Sequence, residues 1–392
     1  MRYFLAPHCA LKWLEVPAVY NIATDELYEL DGPAFAFLRK CAGKEGCLAE
    51  ESDRQFLDYA VRQGILTERP ERVPRVVRPP VQKSAEPSLR YLELQITSRC
   101  NLRCRHCYIG VPEEVELPVE IVSRVLKEFG EMQGLRLLIT GGEPLLHRDF
   151  RRINELLSLH AFRKILLTNG MLLTGGILRS LCVQEIQVSV DGLEDSHDAL
   201  RGKGTFKTAM NAVRTAQERG FDVSVSTMVH SRNLTDFAGM EELFRSLGIK
   251  DWSVDVPCVA GNLKRNPLLS PAPEVAGSYL RYGFGEGLHE GSPGFACGSH
   301  LMSVLSNGTV AKCAFYRSSP LGSVEEGLGV CWSRFAPVTL DQLACSGCAD
   351  RESCRGGCRY RAELLGDPLG KDLYRCFAYG QGQDAQSGQQ EK

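Results

Sequence analysis

Apolar residues recur along the chain in two rhythms, and their alternation is the first structural signal. Six short aliphatic or β-branched runs read as strands: Tyr91–Thr97, Leu135–Thr140, Lys164–Thr168, Glu185–Val190, Asp222–Met228 and Asp251–Val256. Between them lie stretches with helical spacing, among them Val119–Phe129, Phe150–Leu157 and Thr208–Arg219. Repeated β-α units predict a parallel sheet with outer helices. Six strands are too few to close an ordinary eight-stranded barrel. The predicted fold class is therefore α/β, with a partial (β/α)6 TIM-like barrel over residues 89–256. In such sheets the reactive groups gather at the C-terminal ends of the strands.

The flanking segments follow other patterns. Residues 1–68 read as a separate small module. Lys12–Val16, Ala18–Ile22 and Glu26–Leu30 are strand-like, with a turn at Asp25-Glu26. Asp31 and Pro33 then fit the start of a helix over Ala34–Cys41. Ser52–Arg62 predicts a second helix that places Phe56, Tyr59 and Ala60 on one face and stops at Gly64. Residues 69–88 carry five prolines counted from Pro70 to Pro87 and read as a linker. From residue 257 to 380 the runs shorten and cysteine, glycine and basic residues dominate, so metal sites are expected to organise this part. Residues 381–392 are Gln/Gly-rich and read as a disordered tail.

Charge narrows the field by exclusion. The chain has 392 residues with 46 basic and 48 acidic side chains, and nothing in that balance suggests a nucleic-acid or membrane partner. No apolar run approaches the roughly 20 residues that span a bilayer, and the start is too short in apolar residues for a signal peptide, so a cytoplasmic location is expected. Sixteen cysteines are many for a reducing compartment, where dense clusters point to metal rather than to disulfides. Cys100, Cys104 and Cys107 form one group. Cys297, Cys313, Cys345, Cys348, Cys354, Cys358 and Cys376 form another. Of the scattered remainder, Cys9, Cys41, Cys47, Cys182, Cys258 and Cys331, most read as small buried residues.

The polar signals fall where the topology predicts a site. Cys100-Asn-Leu-Arg-Cys104-Arg-His-Cys107 follows the first strand, Gly141-Gly142-Glu143-Pro144 the second, Asn169-Gly170 the third and Asp191-Gly192 the fourth. Three thiolates in eight residues suit an iron–sulfur cube with one iron left open. Structural zinc prefers four closed ligands, and His106 is poorly placed to converge as the fourth. The two glycines would let the backbone approach a ligand closely, and Glu143 could accept hydrogen bonds from an ammonium group.

C-x3-C-x2-C after strand one followed by Gly-Gly-Glu-Pro after strand two resembles the radical S-adenosylmethionine (SAM) enzymes over residues 89–256. The resemblance implies that Cys100, Cys104 and Cys107 hold a [4Fe–4S] cluster whose open iron chelates SAM. One electron from the cluster then yields a 5′-deoxyadenosyl radical that takes a hydrogen atom from the substrate. It implies that His106 lies by the adenine, that Thr140, Gly142 and Glu143 face the methionine amino group, and that Ser189 and Asp191 contact the ribose or carboxylate. Arg201 would pair with the SAM carboxylate, which an arginine fork suits.

The later cysteines, Cys297-x10-Gly308-x4-Cys313, Cys345-x2-Cys348-x5-Cys354-x3-Cys358 and then Cys376, resemble the SPASM extension of these enzymes. That resemblance implies two auxiliary [4Fe–4S] clusters, three clusters in all. Cys345, Cys348, Cys354 and Cys376 would ligate one. Cys297, Cys313 and Cys358 would ligate the other, with Cys258, Cys331 or an open iron completing it; zinc on the C-x2-C-x5-C-x3-C run is the bland alternative. The first 68 residues resemble the PqqD-like winged helix-turn-helix element that binds leader sequences of ribosomally made precursor peptides by strand addition. Its acidic surface argues against a DNA-binding winged helix. Cys313 is followed by Ala314, where sulfatase-maturing relatives have a basic aspartate, so that activity is disfavoured.

Together these resemblances imply a maturase of a ribosomally synthesised peptide, served by an external one-electron reductant of flavodoxin or ferredoxin type. A thioether or carbon–carbon crosslink is the leading outcome. Peptide epimerisation with Cys258 as the catalytic hydrogen donor, small-molecule chemistry of the tetrapyrrole-decarboxylase kind, and a peptide-binding electron carrier without catalysis are the alternatives.

Overall fold

The computed structural model describes residues 1–69, 76, 78–287, 289 and 293–381. Most of the predicted linker bears on residues within this set, but residues 70–75, 77 and the tail beyond Gln381 lie outside it.

Six parallel strands follow one another in space as they do in sequence. They are β7 (Tyr91–Thr97), β8 (Arg136–Gly141), β9 (Arg163–Thr168), β10 (Glu185–Ser189), β11 (Asp222–Met228) and β12 (Asp251–Asp255), preceded by six strands of the N-terminal unit. Helices α3 (Val119–Glu131), α4 (Phe150–Leu157), α5 (Gly175–Leu178), α6 (Glu194–Arg201), α7 (Thr205–Glu218) and α8 (Phe237–Ser246) fill the connections. Period two explains the layers. On β7 the buried Leu92, Leu94 and Ile96 pack against the helices in the main apolar core, while Glu93, on the alternate face, lines the central cavity.

The parallel sheet does not end at β7. Residues assigned by composition to the cysteine-rich region contribute β13 (Leu301–Val304), parallel to β7, and the antiparallel β14 (Thr309–Ala311) and β15 (Gly322–Ser323). The result is a nine-stranded sheet, β12-β11-β10-β9-β8-β7-β13-β14-β15. These strands are too short to stand out by periodicity, and their reason lies in pairing with the edge that an open barrel leaves exposed.

The N-terminal unit holds two antiparallel sheets: β5-β1-β6, from β1 (Arg2–Leu5), β5 (Cys47–Leu48) and β6 (Leu66–Thr67), and the meander β2 (Cys9–Trp13), β3 (Pro17–Asn21) and β4 (Glu26–Glu29). Asp31 caps α1 (Gly32–Cys41) through the Ala34 N–H at 2.8 Å. On α2 (Arg54–Arg62) the buried positions are Leu57 and Ala60, while the expected core residue Tyr59 is exposed and meets Tyr28 edge-on. Cys41 and Cys47 correct a second expectation: both are buried, but they are joined in a disulfide.

This unit is clamped to the N-terminal ends of the barrel strands, opposite the C-terminal ends. Asp25 pairs with Arg136 at 2.8 Å and Arg163 at 3.4 Å, and Arg163 continues to Glu185 and Asp222 at 2.9 and 2.5 Å. The last four residues open β8, β9, β10 and β11. Lys12, also buried, donates to the carbonyls of Gly134 at 2.8 Å and Ala161 at 3.3 Å. Burial pulls its ammonium from the ordinary 10.5 down to about 7. The unfolded chain therefore holds a proton that the folded chain lacks between those values, and stability contributed at Lys12 rises with pH across that window. In urea titrations at pH 7 and 10, the parent should gain more unfolding free energy than Lys12→Met. Equal gains would remove the buried amine from the account.

Candidate active site

The cysteine loop is built by close backbone packing. Gly142 is required there: a Cβ would lie 2.4 Å from the Arg99 carbonyl and 2.7 Å from that of Ser98. The Gly142 and Glu143 N–H groups instead donate to the carbonyls of Thr97 and Arg99, both at 2.8 Å. The glycine pair thus makes room for the loop backbone, a role that the expectation of ligand contact alone did not include. On the other side Gly261, at φ +51°, lies where a Cβ would meet the Cys107 carbonyl at 2.4 Å. Its neighbour Asn262 donates to the carbonyls of Cys107 at 2.8 Å and Cys104 at 3.0 Å.

Glu143 does not reach the cavity. It is fully buried, accepts from the Thr168 hydroxyl at 2.8 Å and the Asn169 N–H at 2.9 Å, and so ties β8 to β9. Asn169 in turn donates to Asn101 of the cysteine loop at 2.8 Å. Burial, outweighing these hydrogen bonds, pushes the Glu143 carboxyl up to about 7.

Asp191 is also buried rather than exposed to the cavity. Its carboxylate receives Arg201 Nε at 2.5 Å and the Met228 N–H at 2.9 Å, with His106 Nε2 at 3.5 Å. Burial opposes its charge, but Arg201 and the neighbouring histidines hold its carboxyl well below the usual range. Burial also lowers His106 to about 4, so the ring is neutral near pH 7. Its Nδ1 is buried with no hydrogen-bond partner.

Above this floor lies a cavity of about 440 Å³. Thr140, Gly142, Ser189, His106 and Arg201 line it. So do Cys100, Cys104 and Cys107 on one side and Cys297, Cys313 and Cys358 on the other. The two cysteine groups, about two hundred residues apart in sequence, thus face one space. A separate small cavity is lined by Cys345, Cys348, Cys354 and Cys376.

Contact with the Cys258 thiol holds the Cys358 thiol below its ordinary value. Cys331, the other candidate for the fourth position, is fully buried and hydrogen-bonds Ser323 instead. Neither Cys258 nor Cys331 lines either cavity.

Sequence reasoning missed the remaining wall. Glu93 lines the cavity and accepts from Tyr108 at 3.2 Å and Ser303 at 2.6 Å. Tyr108 packs 5.0 Å from Phe315, which stacks 5.2 Å from Tyr360. The alternation on β7 was the available signal for Glu93, and nothing local announced the meeting of the aromatics.

The thiols suit iron–sulfur groups. Thiolates are the usual ligands of such groups. Burial raises the thiols of Cys104 to about 11, Cys313 to about 12 and Cys376 to about 11. Ionising them in place therefore calls for a bound cation.

Glu143 gives a direct check on this architecture. Because its carboxyl is raised from the ordinary 4.5 to about 7, stability from its neutral form is present below pH 4.5 and lost as pH rises through 7. Glu143→Gln should flatten that decline in urea midpoints, whereas Glu143→Ala should cost about 2–3 kcal/mol by stranding buried donors. An unchanged slope in Glu143→Gln would contradict the assignment.

Comparison with known proteins agrees with this geometry. Residues 94–245 match the model of the Radical SAM superfamily. An AdoMet-dependent heme synthase of Methanosarcina barkeri is 30% identical over 191 residues, 47% of this chain and 55% of that protein. The mycofactocin maturase MftC of Mycolicibacterium smegmatis is 31% identical over 159 residues, 38% of this chain and 41% of that protein. The chain spans about half the length of the curated relatives it matches. Among solved structures, Streptococcus suis SuiB bound to precursor peptide SuiA superposes with a TM-score of 0.65 at 15% identity, covering 95% of this chain and 98% of SuiB, a likeness of fold. The superfamily match falls on the stretch that carries the cysteine loop and the glycine turn, so the chain carries a radical SAM domain.

Proposed function

We propose that the protein is a radical SAM maturase of a ribosomally synthesised precursor peptide. The observation that carries this reading is the shared cavity, in which the three-cysteine loop faces Cys297, Cys313 and Cys358 across a space walled by aromatic side chains. Cys100, Cys104 and Cys107 would hold the SAM-binding [4Fe–4S] cluster. Cys345, Cys348, Cys354 and Cys376 would hold one auxiliary cluster, and Cys297, Cys313 and Cys358 the other. Cys258, whose thiol lies in contact with that of Cys358, is the candidate for the fourth ligand there. When bound, SAM and its cluster supply a 5′-deoxyadenosyl radical on one-electron reduction.

The chain's own residues orient and exclude. Arg201, held by Asp191, offers its remaining N–H groups to a carboxylate. His106 offers a neutral ring with an unpartnered Nδ1. Thr140 and Ser189 present hydroxyls at the strand ends, and Gly142 leaves room beside them. Glu143 acts beneath the site by fixing the β8 and β9 loops.

The N-terminal unit would recognise the leader as a PqqD-like element. Among the described residues β4 pairs with β3 alone, which leaves an edge for an added strand. SuiB, whose structure contains its precursor peptide, shares the fold over nearly the whole chain, which supports a peptide substrate. A crosslink of thioether or carbon–carbon type remains the leading product. The heme synthases among the relatives favour a second reading, a small-molecule radical SAM enzyme, which would leave the N-terminal unit without a role.

Two measurements test the proposal. Reconstituted protein given SAM and dithionite should release 5′-deoxyadenosine, and Cys100→Ala should not; intact clusters without release would overturn the enzymatic reading. Joint replacement of Cys345, Cys348, Cys354 and Cys376 by alanine should lower bound iron from about twelve to about eight atoms per chain. Undiminished iron would place that cluster elsewhere.

A further inference from the structure

The outer face of the cysteine loop has a charge pattern that the site chemistry does not use. Three segments meet there. Arg105 N donates to the Leu200 carbonyl at 3.0 Å, and Arg105 and Asn266 exchange hydrogen bonds at 3.3 and 3.1 Å. Asn262 binds the Cys104 and Cys107 carbonyls, as described above. Leu200, Leu263 and Leu269 form one small apolar cluster beneath the junction.

Residues 99–110, 200–204 and 261–270 together contain no Asp or Glu, although the chain as a whole has 48 acidic against 46 basic side chains. Arg103, Arg105, Lys203, Lys264 and Arg265 are exposed there, and none forms an ion pair among the described residues. Amid them Leu268 is 90% exposed. Nearby carboxylates face other work: Asp198 caps the start of α7, and Glu194 pairs with Lys207.

We infer that this patch is the docking surface for an acidic one-electron carrier protein. The inference rests on the reading that Cys100, Cys104 and Cys107 hold the redox centre. Three observations favour such an occupant. The charged side chains of these three segments are all basic, which steers an acidic partner and speeds its association. The exposed Leu268, on the same turn as Lys264 and Arg265, supplies an apolar anchor beside the charge. And the turn carrying Lys264 and Arg265 lies directly against the backbone of the cysteine loop, where electron transfer has the least distance to cover. The step moves one electron: the carrier is oxidised by one electron, the loop's centre is reduced by one, and no bond or proton changes hands.

Dithionite is small and needs no docking surface, so it separates the two readings. The experiment follows bleaching of the reconstituted holoenzyme's visible absorption under dithionite or under a flavodoxin hydroquinone, with the parent, with Lys264→Glu/Arg265→Glu, and with Arg179→Glu/Arg214→Glu on the outer helices. The expected result is equal rates with dithionite for all three. With flavodoxin at low salt the Lys264/Arg265 variant should slow by about tenfold and lose most of its salt dependence, while the outer-helix variant should not. Equal flavodoxin rates for parent and Lys264/Arg265 variant would overturn the docking surface and leave the patch to another occupant, such as an acidic peptide segment. Equal slowing in both variants would reduce the effect to net charge and overturn it too. Failure of dithionite to reduce loaded parent protein would instead overturn the redox reading of the loop.

Discussion

The buried carboxylate of Asp191 is the contact on which the rest of the site depends. It sits at the end of β10, yet its partners come from four places: Arg201 at the end of α6, the Met228 N–H of β11, His106 of the cysteine loop, and, through its backbone, His230 and Asn233. A charge at this depth is tolerable only when it is paired and hydrogen-bonded. That requirement forces α6, the strand ends and the cysteine loop into one arrangement, and it presents Arg201 and His106 to the cavity from a rigid base.

Opposite this floor, a second buried charge network fixes the N-terminal unit. Asp25, Arg136, Arg163, Glu185 and Asp222 link the module to the first residues of four strands. The two networks lie at opposite ends of the same strands. Whatever binds the N-terminal unit is therefore held at a fixed offset from the cavity, because the barrel between them is a packed sheet with a continuous apolar core.

Much of the barrel was legible in the sequence because its signals are local. The strand spans were foreseen to within about a residue, and β7 and β11 at both ends, because aliphatic runs between helical stretches admit few other readings. The cysteine and glycine motifs also announced themselves. What was hidden depends on contacts between distant segments. β13 gains its place from the free edge of β7. Glu143 and Asp191 are buried with their oxygens hydrogen-bonded to neighbouring protein donors, contacts that no local pattern announces. Tyr59 misled because its helical face includes an aromatic edge contact at the surface, and the Cys41–Cys47 bond because spacing alone does not bring two thiols together. Tyr108, Phe315 and Tyr360 come from the loop and the C-terminal region, and no periodicity links them.

The central claim is that two cysteine groups distant in sequence face one chamber while four later cysteines frame another. Anomalous diffraction at the iron edge from anaerobically reconstituted crystals tests this most directly. The account predicts three iron centres: one against Cys100, Cys104 and Cys107, one across the same cavity against Cys297, Cys313 and Cys358, and one enclosed by Cys345, Cys348, Cys354 and Cys376. A single centre at the loop, with zinc or disulfides at the later cysteines, would contradict it.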